Sequence, residues 1–148
     1  TPIRRQRQMC IRDRYSLEQI APENSIGCRF TTVYGPNARD TMLIPRILRN
    51  DVPYINTNHS RDFIHVDDIV RAIDSLINSN LKGITDIGSG HTNNLVELID
   101  YFGIDCERVV GEQTERLDNL ADNTLLNNIG WQPRINLYEY IKENRNDN

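Results

Sequence analysis

The sequence predicts an α/β layer architecture, and three features of its 148 residues point that way. Short β-branched runs alternate with segments whose apolar residues recur at helical spacing. Turns containing Gly or Pro separate them, and no linker, repeat or low-complexity block divides the chain.

The elements follow in order. Ser16 to Ala21 reads as the end of a helix stopped by Pro22. Ile26 to Tyr34 is a β-branched and aromatic run that predicts one buried strand, ended by Gly35-Pro36-Asn37. Met42 to Leu48 places Leu43, Ile44, Ile47 and Leu48 on one helical face. Pro53 to Ile55 and Phe63 to Val66 predict short strands on either side of a polar loop, Asn56 to Ser60. Asp67 or Asp68 then caps a helix whose apolar face is Ile69, Val70, Ile73, Leu76 and Ile77, with Asp67 the better cap. Ile84 to Ile87 is a further strand, closed by Gly88-Ser89-Gly90. Asn94 and Glu97 have capping-box spacing ahead of Leu95, Val96, Leu98, Ile99 and Phe102. Arg108 to Gly111 predicts a short strand, Asp122 to Ile129 a short helix ended by Gly130, and Ile135 to Lys142 a last helix. The polar tail, residues 143–148, is expected to fray.

Composition excludes several functions. With 26% charged residues, no apolar run approaches the roughly 20 residues needed to cross a bilayer, so no membrane partner is expected. Cys10, Cys28 and Cys106 show no CxxC spacing, and His59, His65 and His91 show no ligand spacing, so no metal site is expected and a cytoplasmic setting is the default. The formal charge of −4 argues against a nucleic-acid partner. Residues 1–14, however, hold five arginines against one acid, which leaves a distinctly acidic body from Tyr15 onward. A basic arm that grips nucleic acid is one account of this break. The other, preferred, is that Met9-Cys-Ile-Arg-Asp-Arg14 is translated sequencing-adapter DNA and that residues 1–14 are not native. Gly88-Ser89-Gly90 sits between strand and helix as a phosphate loop does, but Asn93 stands where a third glycine belongs, so it reads as a turn.

Five separated motifs then arrive in one order. They are Arg29-Phe-Thr-Thr-Val-Tyr-Gly-Pro36; Leu43-Ile-Pro45; Arg61-Asp-Phe-Ile-His-Val-Asp-Asp68; Asp86-Ile-Gly-Ser-Gly90; and Ala121-Asp122 with Leu125 through Gly130-Trp131-Gln-Pro133. Together they resemble the C-terminal half of an extended short-chain dehydrogenase/reductase, of the NAD-dependent epimerase/dehydratase family that acts on nucleotide sugars. The resemblance implies that residues 15–142 are the C-terminal part of a Rossmann-type domain with its small substrate-binding subdomain, the dinucleotide-binding half being absent. It implies a parent enzyme that binds NAD(P), takes a hydride from a sugar nucleotide and returns it through a keto intermediate. A dehydratase of the same family, or a non-catalytic binding protein of this architecture, is the alternative. The parent is expected to be a homodimer; this chain is expected neither to dimerise natively nor to bind the cofactor.

What the resemblance implies for individual residues is uneven. The family's Tyr-x-x-x-Lys precedes a glutamate that Glu18 matches, which puts the pair at positions 10 and 14, where Cys10 and Arg14 stand; no catalytic residue is therefore expected. Tyr138 and Lys142 reproduce the spacing but fall in the last helix, and are read as a decoy. Arg61 matches the arginine that contacts the substrate pyrophosphate, and Arg116 is a second clamp or a surface ion pair. Thr31 is expected to meet the cofactor and Thr32 either the substrate or the core. Leu43 and Tyr54 are expected near the nucleotide base, where an aromatic face stacks, though both also suit packing. Asp86 stands where relatives carry asparagine, and a carboxylate there repels phosphate.

Overall fold

A computed structural model describes residues 12–112 and 119–146. Residues 12–20 are helical (α1), and the chain then runs β1 (Ile26–Phe30), β2 (Thr32–Tyr34), α2 (Leu43–Leu48), β3 (Tyr54–Asn56), β4 (Ser60–Arg61), β5 (Phe63–His65) and α3 (Val66–Ile77). It continues through β6 (Gly83–Ile87), β7 (Asn93–Asn94), α4 (Leu95–Tyr101), β8 (Glu107–Val109), α5 (Thr124–Asn128) and α6 (Leu137–Asn144). The architecture is mixed α/β, built on parallel strand pairs: β1 with β6, β2 with β5 and β3 with β8. β4 and β7 form a two-residue antiparallel pair that brings Arg61 opposite Asn93.

The strand expected over 26–34 is two strands. Thr31 donates its N–H to the Ile87 carbonyl at 3.1 Å, the last bond to β6, and Thr32 donates to the Asp62 carbonyl at 2.9 Å, the first bond toward β5. The chain thus changes partner within one residue, because β6 ends at Ile87 and turns away at Gly88. A uniform β-branched run carries no signal of such a change of neighbour.

α3 begins earlier than expected, and neither Asp67 nor Asp68 caps it. The N-cap is His65, whose Nδ1 accepts the Asp67 N–H at 3.0 Å. Asp67 lies in the first turn, where its charge complements the helix dipole. Asp68 is fully buried and committed elsewhere: its carboxylate accepts the backbone N–H groups of Arg134 and Ile135 at 3.0–3.1 Å and pairs with Arg71. That inward carboxylate fixes the helix rotation, so Ile69, Ala72 and Leu76 are buried while Val70 and Ile77 face outward. By contrast Asn94 caps α4, its Oδ1 accepting from Val96 and Glu97, and Asn136 caps α6 through the Glu139 N–H.

Two apolar clusters hold the layers together. One gathers α2, α4 and α6 around β3, with Ile47, Leu98, Ile99 and Ile141 fully buried. Each such side chain contributes roughly 1.5–3 kcal/mol, which outweighs the two-residue β4–β7 pairing beside it. The other packs α3 and α5 against β5 and β6 through Ile64, Leu76, Ile87, Leu126 and Trp131. α6 runs to Asn144, two residues beyond the expected end. There Arg145 donates to the Phe102 carbonyl at 2.8 Å and Asn146 to the Leu48 carbonyl at 3.3 Å, so the tail is held as far as Asn146.

Candidate functional site

The change of partner at Thr31 and Thr32 opens a cleft of about 420 Å³, lined among others by Tyr15, Arg29, Phe30, Thr31, Asp86 and Asn119. The Thr31 hydroxyl is buried and has no hydrogen-bond partner among the described residues. A buried hydroxyl without a partner costs stability unless a ligand engages it. Thr32 differs: its Oγ1 accepts from Asn119 Nδ2 at 3.0 Å, and Asn119 Oδ1 in turn accepts the Asp62 N–H at 2.7 Å. Across the cleft, the Arg29 fork binds Glu18 with contacts of 2.9 and 2.7 Å, which holds the Glu18 carboxyl below its ordinary range.

Behind the cleft lies a fully buried carboxylate that the sequence did not single out. Asp62 accepts the N–H and the hydroxyl of Ser89, each at 2.7 Å, the Gly90 N–H at 3.0 Å and the Ala121 N–H at 3.1 Å. Two backbone donors of the Gly-Ser-Gly turn are therefore spent on this side chain, and the turn is no phosphate cradle. Gly88 permits the approach: a Cβ there meets Ala121 Cβ at 2.6 Å and Asp62 Oδ2 at 2.7 Å. Asn123 clamps the same glycine, donating to its carbonyl at 2.8 Å. Asp86, which had no assigned role, accepts the Asp122 N–H at 3.1 Å. Three motifs far apart in sequence thus meet in one hydrogen-bond network. The available signal was the acid between Arg61 and the apolar run that begins at Phe63, since a carboxylate buried there needs several donors.

Of the residues expected to bind substrate, Leu43 and Tyr54 lie in a second region. Leu43 and Tyr54 line a cavity of about 220 Å³ with Arg46, Asn56 and Leu95, and Tyr54 keeps 55% of its surface exposed. Leu43 also packs on the larger core. Asn56 connects this cavity to Arg61: its Nδ2 approaches His59 Nδ1 at 3.3 Å, and Arg61 Nη2 approaches the same nitrogen at 3.1 Å. Arg61 Nη1 donates to the Ser60 carbonyl at 2.8 Å. Arg46, which sequence reasoning passed over, places a cation on the cavity wall and donates to the Thr41 carbonyl at 3.1 Å. Arg116 and Cys10 lie outside the described residues.

Tyr138 and Lys142, expected to be a decoy, have these neighbours. Tyr138 packs on Tyr101 and Phe102, and burial, with Glu97 nearby, pushes its hydroxyl pKa up, opposite to what proton abstraction needs. The Lys142 ammonium sits 5.1 Å from the centre of the Tyr101 ring instead. His65 is buried edge-on between Tyr34 and Tyr140. Among the described residues no three His, Cys, Asp or Glu side chains converge on a metal position, and no helix is long and apolar enough to cross a membrane.

The parallel pairing, the partner change at Thr31 and the Asp62 network define a Rossmann-like α/β fold, and comparison with known proteins agrees. The structure superimposes on a UDP-N-acetylglucosamine 4-epimerase from Methanobrevibacter ruminantium M1 with a TM-score of 0.71, at 22% identity over 97% of this chain and 52% of that one. It is also similar to TunA, an NAD-dependent NDP-hexosamine 5,6-dehydratase involved in tunicamycin biosynthesis (TM-score 0.68, 26% identity, 84% of this chain and 44% of that one). A third likeness is to DesIV, the dTDP-glucose 4,6-dehydratase from Streptomyces venezuelae (0.70, 21%, 88% and 45%). The chain spans about half the length of these solved structures. No curated protein matches it. Residues 17–88 match the NAD dependent epimerase/dehydratase family.

Proposed function

We propose that the chain is the C-terminal, sugar-nucleotide-binding portion of an NAD-dependent nucleotide-sugar epimerase. The observation that carries the reading is the junction of Arg61 with the Leu43/Tyr54 cavity through His59 and Asn56. It links a guanidinium, suited to bidentate diphosphate contact, through two side chains to a cavity that holds an exposed aromatic ring suited to a base. A dehydratase acting on the same class of substrate is the second reading, favoured by the likeness to TunA and DesIV.

In this reading the residues of the chain bind and orient. Arg61 neutralises diphosphate charge, Tyr54 stacks on the base, and Leu43 closes the apolar wall. The fit to NAD is partial: the unpartnered Thr31 hydroxyl beside the cleft is suited to hold one end of the cofactor, whereas the Gly-Ser-Gly donors are already taken by Asp62. When bound, NAD supplies the hydride acceptor and donor. Cys10 and Arg14 provide neither the phenol nor the ammonium that proton transfer from a sugar hydroxyl requires, so the chain alone turns over nothing. It binds sugar nucleotide weakly and as a monomer, while the parent is a homodimer.

Calorimetric titration with UDP-glucose tests this. Measurable binding by the chain, lost in Arg61→Ala and absent with NAD alone, is the expected result. No heat with any sugar nucleotide, or an Arg61→Ala variant that binds equally well, overturns it.

A further inference from the structure

We propose that His59 is a positioning residue for Arg61, presetting its guanidinium for a diphosphate; the inference rests on the sugar-nucleotide reading above. His59 lies on the turn between β3 and β4, and only 1% of its surface is exposed. Its Nδ1 lies 3.1 Å from Arg61 Nη2 and 3.3 Å from Asn56 Nδ2. A guanidinium has donors and no acceptor, so Nδ1 must be the acceptor and the ring proton must sit on Nε2. The tautomer is fixed by its neighbour, and the ring is neutral.

The residue itself is held on several sides. The His59 carbonyl accepts the Leu95 N–H at 3.1 Å, and its N–H donates to the Asn56 carbonyl at 3.3 Å. Beyond its Nε2 edge lies Gly111, where a Cβ would come within 2.5 Å of Nε2, so a side chain at that position displaces the imidazole. Asn58 fastens the glycine, accepting its N–H at 2.9 Å. A loop from β3 to β4 and the residue two past β8 are thereby locked around one imidazole.

This arrangement matters because arginine is rich in rotamers. A side chain that must order itself around an anion loses freedom at the moment of binding, and one already bonded to His59 and to the Ser60 carbonyl has lost much of it beforehand. The same nitrogen also receives Asn56, which lines the base cavity, so the spacing between base and diphosphate positions is set by a single acceptor.

Two variants separate positioning from folding. His59→Phe keeps the ring volume and removes the acceptor; His59→Asn retains an acceptor near the position of Nδ1. Each is titrated with uridine 5′-diphosphate and with uridine, after thermal unfolding has established that it folds. The expected pattern is about tenfold weaker diphosphate binding in His59→Phe, a smaller loss of uridine binding, and recovery to near wild type in His59→Asn. Nitrogen NMR of the imidazole should report the Nε2-protonated form with an accepting Nδ1 whose resonance moves in Arg61→Ala. If Arg61→Ala weakens diphosphate binding while His59→Phe does not, or if His59→Phe weakens uridine equally, or if His59→Asn is no better than Phe, the positioning role is wrong and the sugar-nucleotide reading stands. A proton on Nδ1 overturns it as well. If wild type binds no diphosphate, or Arg61→Ala changes nothing, the underlying reading falls and takes this inference with it. Should both His59 variants fail to fold, the imidazole spectrum of the wild type and of Arg61→Ala decides.

Discussion

Asp62 and Ser89 are joined twice, the carboxylate oxygen Oδ1 accepting both the backbone N–H and the hydroxyl of Ser89 at 2.7 Å. With Gly90 and Ala121 on Oδ2, this side chain satisfies four donors inside the protein. Replacing Asp62 with Ala takes the acceptor from all four donors, of which the Ala121 N–H is buried, and Asp62→Asn turns an amide N–H₂ toward them. Both variants should lose more than about 3 kcal/mol of stability, read as a lowered urea midpoint. A loss below about 1 kcal/mol contradicts the network.

Gly88→Ala tests the same junction from the other side. The new methyl meets Ala121 Cβ, Asp62 Oδ2 and Thr31 Cγ2, all within 2.7 Å, and two of those neighbours are short side chains with little room to move. We expect a destabilisation of about 1–3 kcal/mol. Gly103→Ala, where a Cβ meets nothing within 4 Å, provides a contrast in which only the positive φ of 61° is penalised.

Asp68 ties α3 to the segment before α6, and its carbonyl accepts the indole N–H of Trp131 at 3.1 Å. The chain has one tryptophan, so its fluorescence reports this contact without interference. Asp68→Ala frees the Arg134 and Ile135 amides and loosens the segment around the buried indole. The expected readout is a red-shifted emission together with reduced stability. An unchanged spectrum means that the segment is held without Asp68.

The Glu18–Arg29 pair fixes a pH dependence of known sign. The guanidinium lowers the folded-state pKa of Glu18 from its ordinary 4.5, so the pair's stabilisation is complete above that value. It is lost as pH falls through the lowered folded value. Because the pair is solvent-exposed, the effect on overall stability is small, and carboxyl NMR is the suitable probe. Glu18 should titrate below free glutamate in the wild type and return toward it in Arg29→Ala. A normal midpoint in both shows that the ion pair does not form in solution.

Much of the fold was legible from residue spacing, because α2 and α4 present apolar faces at helical period and α4 carries the expected asparagine cap at Asn94. What escaped depended on tertiary neighbours. The β1/β2 break at Thr31 arises from where β6 ends, and β4 and β7 are too short to show any period. The early start of α3 reflects His65 acting as cap while Asp68 is drawn inward by backbone donors from Arg134 and Ile135, a competition that no local pattern encodes. At the candidate site, Arg61, Leu43 and Tyr54 were recognisable from motif resemblance. His59, Asn56 and Arg46, which link or line the same region, are not distinguished until the chain is folded.

The central claim is that Arg61 and the Leu43/Tyr54 cavity form one sugar-nucleotide site. Titrating isotopically labelled chain with UDP-glucose and following its amide and guanidinium NMR signals tests it most directly. The account predicts saturable shifts that converge on Tyr54, Asn56 and Arg61, and their disappearance in Arg61→Ala. Shifts confined to another face, or none at millimolar ligand, contradict it.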